Sequence, residues 1–414
     1  PVLSGEYNGA FAVVTALLKE IKVLDPYTVE VHLTAPYYGA LHDFTKLTPL
    51  AMMSPNAFTD DDTISEQILT ATMGTGPYMS TGQSDGSSFN FVQNPNYHGE
   101  KPDVTQFRVK VISDNQTKDL ALRSGEIDLI FGWDKISYDG FKEFSVDKKY
   151  ETKASNENGM TRFIGFNAAK APFNDRQVRL AVSHAIDKTS ICDNLFYGIE
   201  SKADTLLNRN LPYCDVAVEP YPYDLEKAKK ILEEAGWRDT DGDGIREKDG
   251  QELAGEILYS SGFGTDDDLI LTISTALKKL GIDIKGKGLE KMTRYAEVQQ
   301  GNFTLSYSIT YAIHNTPFTL INNMNSEMLV DNLMAQGLAH VPDGNELIMG
   351  LNTMVDQQEI QQTYAYILGE IHHNVSFVPI SHIRELVVFE AEKIADYQFH
   401  GQPGQVNIAG IKLR

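Results

Sequence analysis

The chain has 414 residues, 42% of them hydrophobic and 22% charged, which suffices for two or three domains that each bury a core and excludes disorder, collagen repeats and coiled coil. Its net charge of −21 and pI near 4.9 repel phosphate backbones, so nucleic acid is excluded as a partner. The longest apolar run, residues 10–18, is too short to span a bilayer.

In chain order, the first residues read as a polar loop leading into a helix from Tyr7 to Ile21. A strand over Ile21–Leu24, a turn over Asp25–Thr28 and a second strand, Val29–Leu33, follow; the second alternates apolar and polar as a half-buried strand does. A helix begins at Pro36-Tyr37-Tyr38 and ends near Thr48-Pro49. Residues 59–70 form an acidic loop with a short helix. Gly74-Thr-Gly-Pro-Tyr78 is a tight turn that places Tyr78 at the head of a strand. Strands over Ser88–Val92 and Gln106–Ile112, a helix over Asn115–Ser124 and a strand over Gly125–Ile130 complete a predicted βαβ unit with a parallel sheet. The stretch Ser137–Glu157 is charged and is assigned no element.

Beyond it, Phe163–Phe166 is a strand, and helices cover Asp175–Asp187, Thr189–Tyr197 and Leu225–Ala235. The first is capped by Asn174 or Asp175 and the third is stopped by Gly236. Strands at Gly255–Tyr259, Ile282–Lys285 and Phe303–Ser308 alternate with helices at Asp266–Lys279 and Thr293–Gln299, the pattern of a layered α/β lobe. A helix over Glu359–Ile371 and strands at Phe377–Ile380 and Leu386–Phe389 close the chain.

No GxSxG, HExxH or family-type Cys–His pair is present, so no nucleophile or catalytic metal is assigned. Cys192 and Cys214 lie outside any zinc spacing and read either as one disulfide or as two inert thiols. One pattern resembles a calcium loop. Asp239, Asp241 and Asp243 take its first, third and fifth places, and Ile245 offers a carbonyl. Gly250 stands where a bidentate glutamate is needed, leaving Glu247, Asp249 or Glu252 to substitute. A solvated acidic turn is the other reading, and any ion held there is structural. No other cofactor is required.

Five blocks in order carry a resemblance: Gly74-Thr-Gly-Pro-Tyr78; Asn94-Pro-Asn-Tyr97 with Lys101-Pro102; Arg123-Ser-Gly-Glu-Ile-Asp128; Arg162 through the Tyr221-Pro-Tyr-Asp224 helix; and Val378-Pro-Ile380. Together they resemble the family 5 solute-binding proteins of ABC importers, the peptide- and nickel-binding type. The resemblance implies an α/β, two-lobed periplasmic-binding-protein-like fold (class II, cluster C) with an extra subdomain, the N-terminal part of the first lobe missing. Expected divisions are 1–72 for the incomplete extra subdomain, 73–158 for the first part of lobe I, 159–384 for lobe II and 385–414 for a return to lobe I. It further implies a non-enzymatic, extracytoplasmic monomer, in the periplasm or anchored at the cell surface as a lipoprotein. That protein captures a small peptide or a nickel or other metal chelate by hinge closure and delivers it to a membrane permease, and any metal enters only as part of the transported ligand. A peptide hydrolase and a receptor-coupled sensor domain are the alternatives.

In this family the loop after the strand ending near Ser308 lines the ligand cleft, so Thr310, Tyr311, His314 and Asn315 are the candidate ligand residues. His314 can complete a chelated metal or hydrogen-bond a polar ligand, and it reads equally as a loop histidine. Ile313 stands where peptide binders carry an aspartate. Thr48 and Ala51 stand where nickel-chelate binders carry arginines, which removes a bidentate partner for a carboxylate-rich chelate. Tyr78 and Trp133 are added as aromatics that either approach the cleft or pack in a core.

Overall fold

The computed structural model describes residues 13–45, 53–59, 63–69, 71–156, 159–262, 264–311, 316–327 and 330–414. The chain divides into two compact units, one made of residues 1–32, 40–158 and 384–414, the other of 33–39 and 159–383.

The first unit is antiparallel throughout its described sheets. Tyr78–Ser84, Ser88–Gln93 and Gln106–Lys110 form one three-stranded sheet. In the other, Leu386–Glu390 lies between Leu129–Phe131 and Tyr150–Ala154. The predicted βαβ unit is therefore corrected: Gln106–Lys110 and Leu129–Phe131 belong to different sheets, although the helix between them, Asn115–Arg123, forms where its Asp114 cap places it. Local pattern sets a strand and not its partner. The charged stretch left without an element holds a helix, Tyr138–Val146, and a strand, Tyr150–Ala154. Ser137 caps that helix through Gly140 N, and Phe141 and Phe144 are its buried face. A core of Val387, Phe389, Ile394, Tyr397 and Ile411 ties the C-terminal strands together.

At the N-terminal end, only Val13–Ala16 is helical and Leu18 already starts a strand, so the helix expected to reach Ile21 ends early. Its predicted start at Tyr7 lies outside the described residues. The hairpin of Leu18–Asp25 and Thr28–Leu33 is mostly exposed, with Val23 and Val29 open to solvent. The half-burial expected for its second strand is absent for residues 28–30.

The second unit is built on a six-stranded sheet. Its order is Asp283–Leu289, Ala254–Ser260, Leu305–Ile309, Thr161–Phe166, Phe377–His382, Ser201–Lys202. The first three run parallel and the rest pair antiparallel. Every residue of Thr161–Phe166 is buried, as a strand covered on both faces requires. The helices Arg176–Ala185, Leu225–Glu234, Gly264–Lys278, Lys291–Gln299 and Gln357–His373 form as their periodicity predicts. Asp175 and Asp224 cap two of them. Gly236 and Gly281, at φ +89° and +82°, end two, since only glycine takes that conformation without cost. The segment expected as a helix over Thr189–Tyr197 instead passes from a short α turn, Lys188–Ser190, into a π turn, Ile191–Leu195. That wider turn buries Ile191 and Cys192 together and lays Phe196 against Arg162. No described helix is long and apolar enough to cross a membrane.

Candidate functional site

The strand Leu305–Ile309 runs into Thr310 and Tyr311, and both are fixed by their own unit. Thr310 is fully buried. Its backbone N donates to Thr161 O at 2.9 Å and its Oγ1 accepts from Thr161 N at 2.8 Å, so the side chain extends the sheet and presents nothing to solvent. Tyr311 donates its hydroxyl to Asp331 Oδ2 at 2.7 Å and accepts from Asn323 Nδ2 at 3.2 Å. Burial and the adjacent Asp331 carboxylate push its phenol far above the ordinary range, so it stays neutral. With the hydroxyl committed, the ring is what Tyr311 can offer a ligand. His314 and Asn315 lie outside the described residues.

Tyr78 sits in the first unit, edge-on to Phe107 at 4.9 Å between centroids, and its hydroxyl donates to Val104 O at 3.0 Å. Burial pushes its pKa up to about 12. Both contacts are those of a packing aromatic. The Trp133 backbone N donates to Glu385 Oε2 at 3.2 Å, and Glu385 Oε1 accepts from Gly404 N at 2.8 Å, which joins three segments of that unit.

The acidic loop gathers oxygens from Asp239, Asp241 and Glu247 within 4.8 Å of one another, a spacing that fits a hard cation taking carboxylate ligands. Asp243 is not in that set. Its Oδ1 accepts from Ile245 N at 2.8 Å. Asp239 also accepts from Gly242 N and Gly244 N, and Glu247 Oε1 from Thr240 N, so the loop is pre-shaped by its own backbone. A cation there would hold the turn together and take part in no chemistry.

Two buried arginines, placed by sequence only as motif positions, organise the second unit. Arg162 donates Nε to both oxygens of Glu200 at 3.0 Å and Nη1 to Asp266 Oδ1 at 2.9 Å and to the Tyr307 hydroxyl at 2.6 Å. Ser381 Oγ completes the cluster on Glu200. Burial raises the Asp266 pKa against the opposing pull of Arg162. Arg179 has no carboxylate in its grip. Its fork spans the carbonyls of Phe173, Asn174, Asn374 and Val375, and so satisfies the end of the Gln357–His373 helix. Burial lowers its pKa to about 10.

An aromatic group not found from the sequence joins residues 33–39 to the second unit. Tyr37 packs on Phe318 at 5.4 Å, and Tyr38 lies edge-on to Tyr213 with their hydroxyls hydrogen-bonded. Tyr213 in turn stacks on Tyr364 at 5.3 Å. Only the adjacent tyrosines at 37 and 38 hinted at it, since the partners lie more than 170 residues away. Cys192 and Cys214 are free and buried, and burial pushes both thiols up to about 12, so the disulfide reading is set aside.

Residues 3–328 match the profile of the bacterial extracellular solute-binding proteins, family 5. The chain is 30% identical over 392 residues to the nickel-binding periplasmic protein of Escherichia coli K12, covering 94% of this chain and 74% of that protein. It is 23% identical over 429 residues to the oligopeptide-binding protein AppA of Bacillus subtilis 168, covering 98% and 74%. The crystal structure of NikA from Brucella suis in complex with Fe(III)-EDTA superposes with a TM-score of 0.92 at 28% identity, over 100% of this chain and 82% of that one. On the match of profile, sequence and fold, this chain belongs to the family 5 bacterial extracellular solute-binding proteins.

Proposed function

We propose that the chain is the solute-capturing subunit of an ABC importer and that its solute is a metal chelate, a short peptide being the second reading. The observation that carries the chelate reading is the relationship across nearly the whole chain to a nickel-binding protein, together with the 0.92 superposition on a protein crystallised with a metal chelate. The peptide reading is supported by the oligopeptide-binding relative at lower identity. The solute is bound and released unchanged. The chain acts outside the cytoplasm as a monomer, is held at the membrane by an anchor, and passes its solute to a permease. The Tyr311 ring, His314 and Asn315 contact the solute, and the Asp239, Asp241 and Glu247 loop takes a structural calcium ion. Native mass spectrometry with elemental analysis of protein purified without added metal is the test. A retained mass containing nickel, iron or another transition metal with an organic ligand supports the chelate, and a retained peptide mass supports the second reading. Turnover of a peptide mixture would overturn both.

A further inference from the structure

Cys214 N donates to Leu211 O at 3.1 Å and closes a four-residue turn with Pro212 second and Tyr213 third. Tyr213 has φ +64°. A turn with proline second and a positive φ third ordinarily takes glycine or asparagine there, because a Cβ is crowded in that conformation. A bulky aromatic therefore stands where the backbone favours almost no side chain, and residues strained in this way gather at ligand-binding positions.

The neighbours of Tyr213 hold its ring without covering it. Its hydroxyl donates to Gln357 Oε1 at 2.5 Å and is hydrogen-bonded to the Tyr38 hydroxyl, and Gln361 Nε2 donates to Tyr213 O at 3.3 Å. The ring stacks on Tyr364 at 5.3 Å and meets Tyr38 edge-on at 5.7 Å. Tyr364 is 1% exposed and its hydroxyl bonds nothing, so it serves Tyr213 as a ring, at the cost of a desolvated polar atom. Tyr213 and Tyr38 stay half-buried against the core of the unit. Burial and Tyr213 raise the Tyr38 pKa, with no charged side chain taking part.

The position of the turn follows from the sheet. Asp283–Leu289, Ala254–Ser260 and Leu305–Ile309 run parallel, and Thr310 follows the last of them. Thr310 N donates to Thr161 O, so the strand Thr161–Phe166 begins where those three end. Gly159 stands two residues before it, and a Cβ built there would meet the Leu211 side chain at 3.3 Å. The turn that carries Tyr213 thus lies at the carboxyl ends of the parallel strands, the edge at which open α/β sheets bind ligands.

We propose that Tyr213 is a solute-selecting residue, its ring stacking on a planar, uncharged aromatic group of the solute while Tyr364 and Tyr38 position it. This rests on the solute-binding reading above. The aromatic group belongs to the chelator in the one reading and to a peptide side chain in the other.

The test is calorimetric titration of the full chain and of Tyr213→Phe and Tyr213→Leu with matched probes. These are Ni(II) with L-phenylalanine against Ni(II) with L-cyclohexylalanine, and alanyl-phenylalanyl-alanine against its cyclohexylalanine analogue. Within each pair the charge and backbone are the same and only the aromaticity of the ring differs. The unaltered protein is expected to prefer the aromatic member of one pair by about 2- to 10-fold, and the pair in which it does so names the source of the group. Tyr213→Phe is expected to keep that preference, and Tyr213→Leu to lose it while keeping its affinity for the saturated member. An aromatic preference that survives in Tyr213→Leu overturns the inference alone, as does an equal loss for both members, which is the mark of a structural role. So does binding by the unaltered protein without preference. Loss of the preference in Tyr213→Phe, which keeps the ring, overturns it as well, even where Tyr213→Leu does not fold. Failure of the unaltered protein to bind any of the four probes overturns the solute reading and this inference with it.

Discussion

Arg162→Met strips the buried cluster of its cation and leaves Glu200, Asp266 and the Tyr307 hydroxyl facing one another. The guanidinium is 1% exposed, and the two carboxylates 0% and 7%. Removing one partner of a buried, hydrogen-bonded pair costs about 3–5 kcal/mol, because the remaining charge stays desolvated. Here two carboxylates are left, which places the loss toward the upper end, and methionine's own apolar burial returns about 1 kcal/mol. A net loss of about 3–4 kcal/mol is therefore expected at pH 8. The sign of the pH dependence follows from the same geometry. Burial already raises the Asp266 pKa with Arg162 present, and without it the folded-state value rises further. A carboxyl whose folded pKa exceeds its unfolded one contributes stability below the unfolded value and loses it as pH rises through the folded value. The variant should accordingly recover at pH 5, by up to about 1.4 kcal/mol per pH unit for each proton taken up. Urea melts at both pH values, followed by fluorescence in a Trp133→Phe background, read the second unit through the buried Trp237. A loss under about 1 kcal/mol, or one equal at pH 5 and pH 8, would refute the electrostatic account.

Three further outcomes follow from single contacts. Arg179→Lys keeps a charge but cannot span the four carbonyls that the fork reaches, so a loss of about 2–3 kcal/mol is expected in the same melts, and a change below about 0.5 kcal/mol would contradict it. Asp119, in the Asn115–Arg123 helix, has Oδ1 buried without a partner, and burial raises its pKa to about 6. Its stability contribution is complete below about pH 4 and lost as pH rises through 6. Asp119→Asn should therefore raise the melting temperature at pH 7.5 and not at pH 4, and a carboxyl titrating near 4 by NMR would count against this. Removing calcium with EGTA should lower the melting temperature of the unaltered protein and leave Asp241→Asn unaffected; equal curves for the unaltered protein with and without the ion would dismiss the loop as a cation site.

What the sequence determined by itself was local. The Asp175 and Asp224 caps and the glycine stops at 236 and 281 each act within one turn of chain, so the helices they bound could be read from the residues alone. The ordered motif blocks likewise pointed to the family that the profile match then showed. What only the tertiary structure decided depends on residues far apart. Gln106–Lys110 and Leu129–Phe131 enter different sheets because strand pairing is set by distant partners, here Ser88–Gln93 for one and Leu386–Glu390 for the other. Thr310 and Tyr311, chosen as ligand residues by position, have their polar atoms committed to Thr161, Asp331 and Asn323. Arg162 is spent on carboxylates and Arg179 on carbonyls. The two share one side-chain chemistry, and only the carbonyls and carboxylates that folding brings within reach tell them apart.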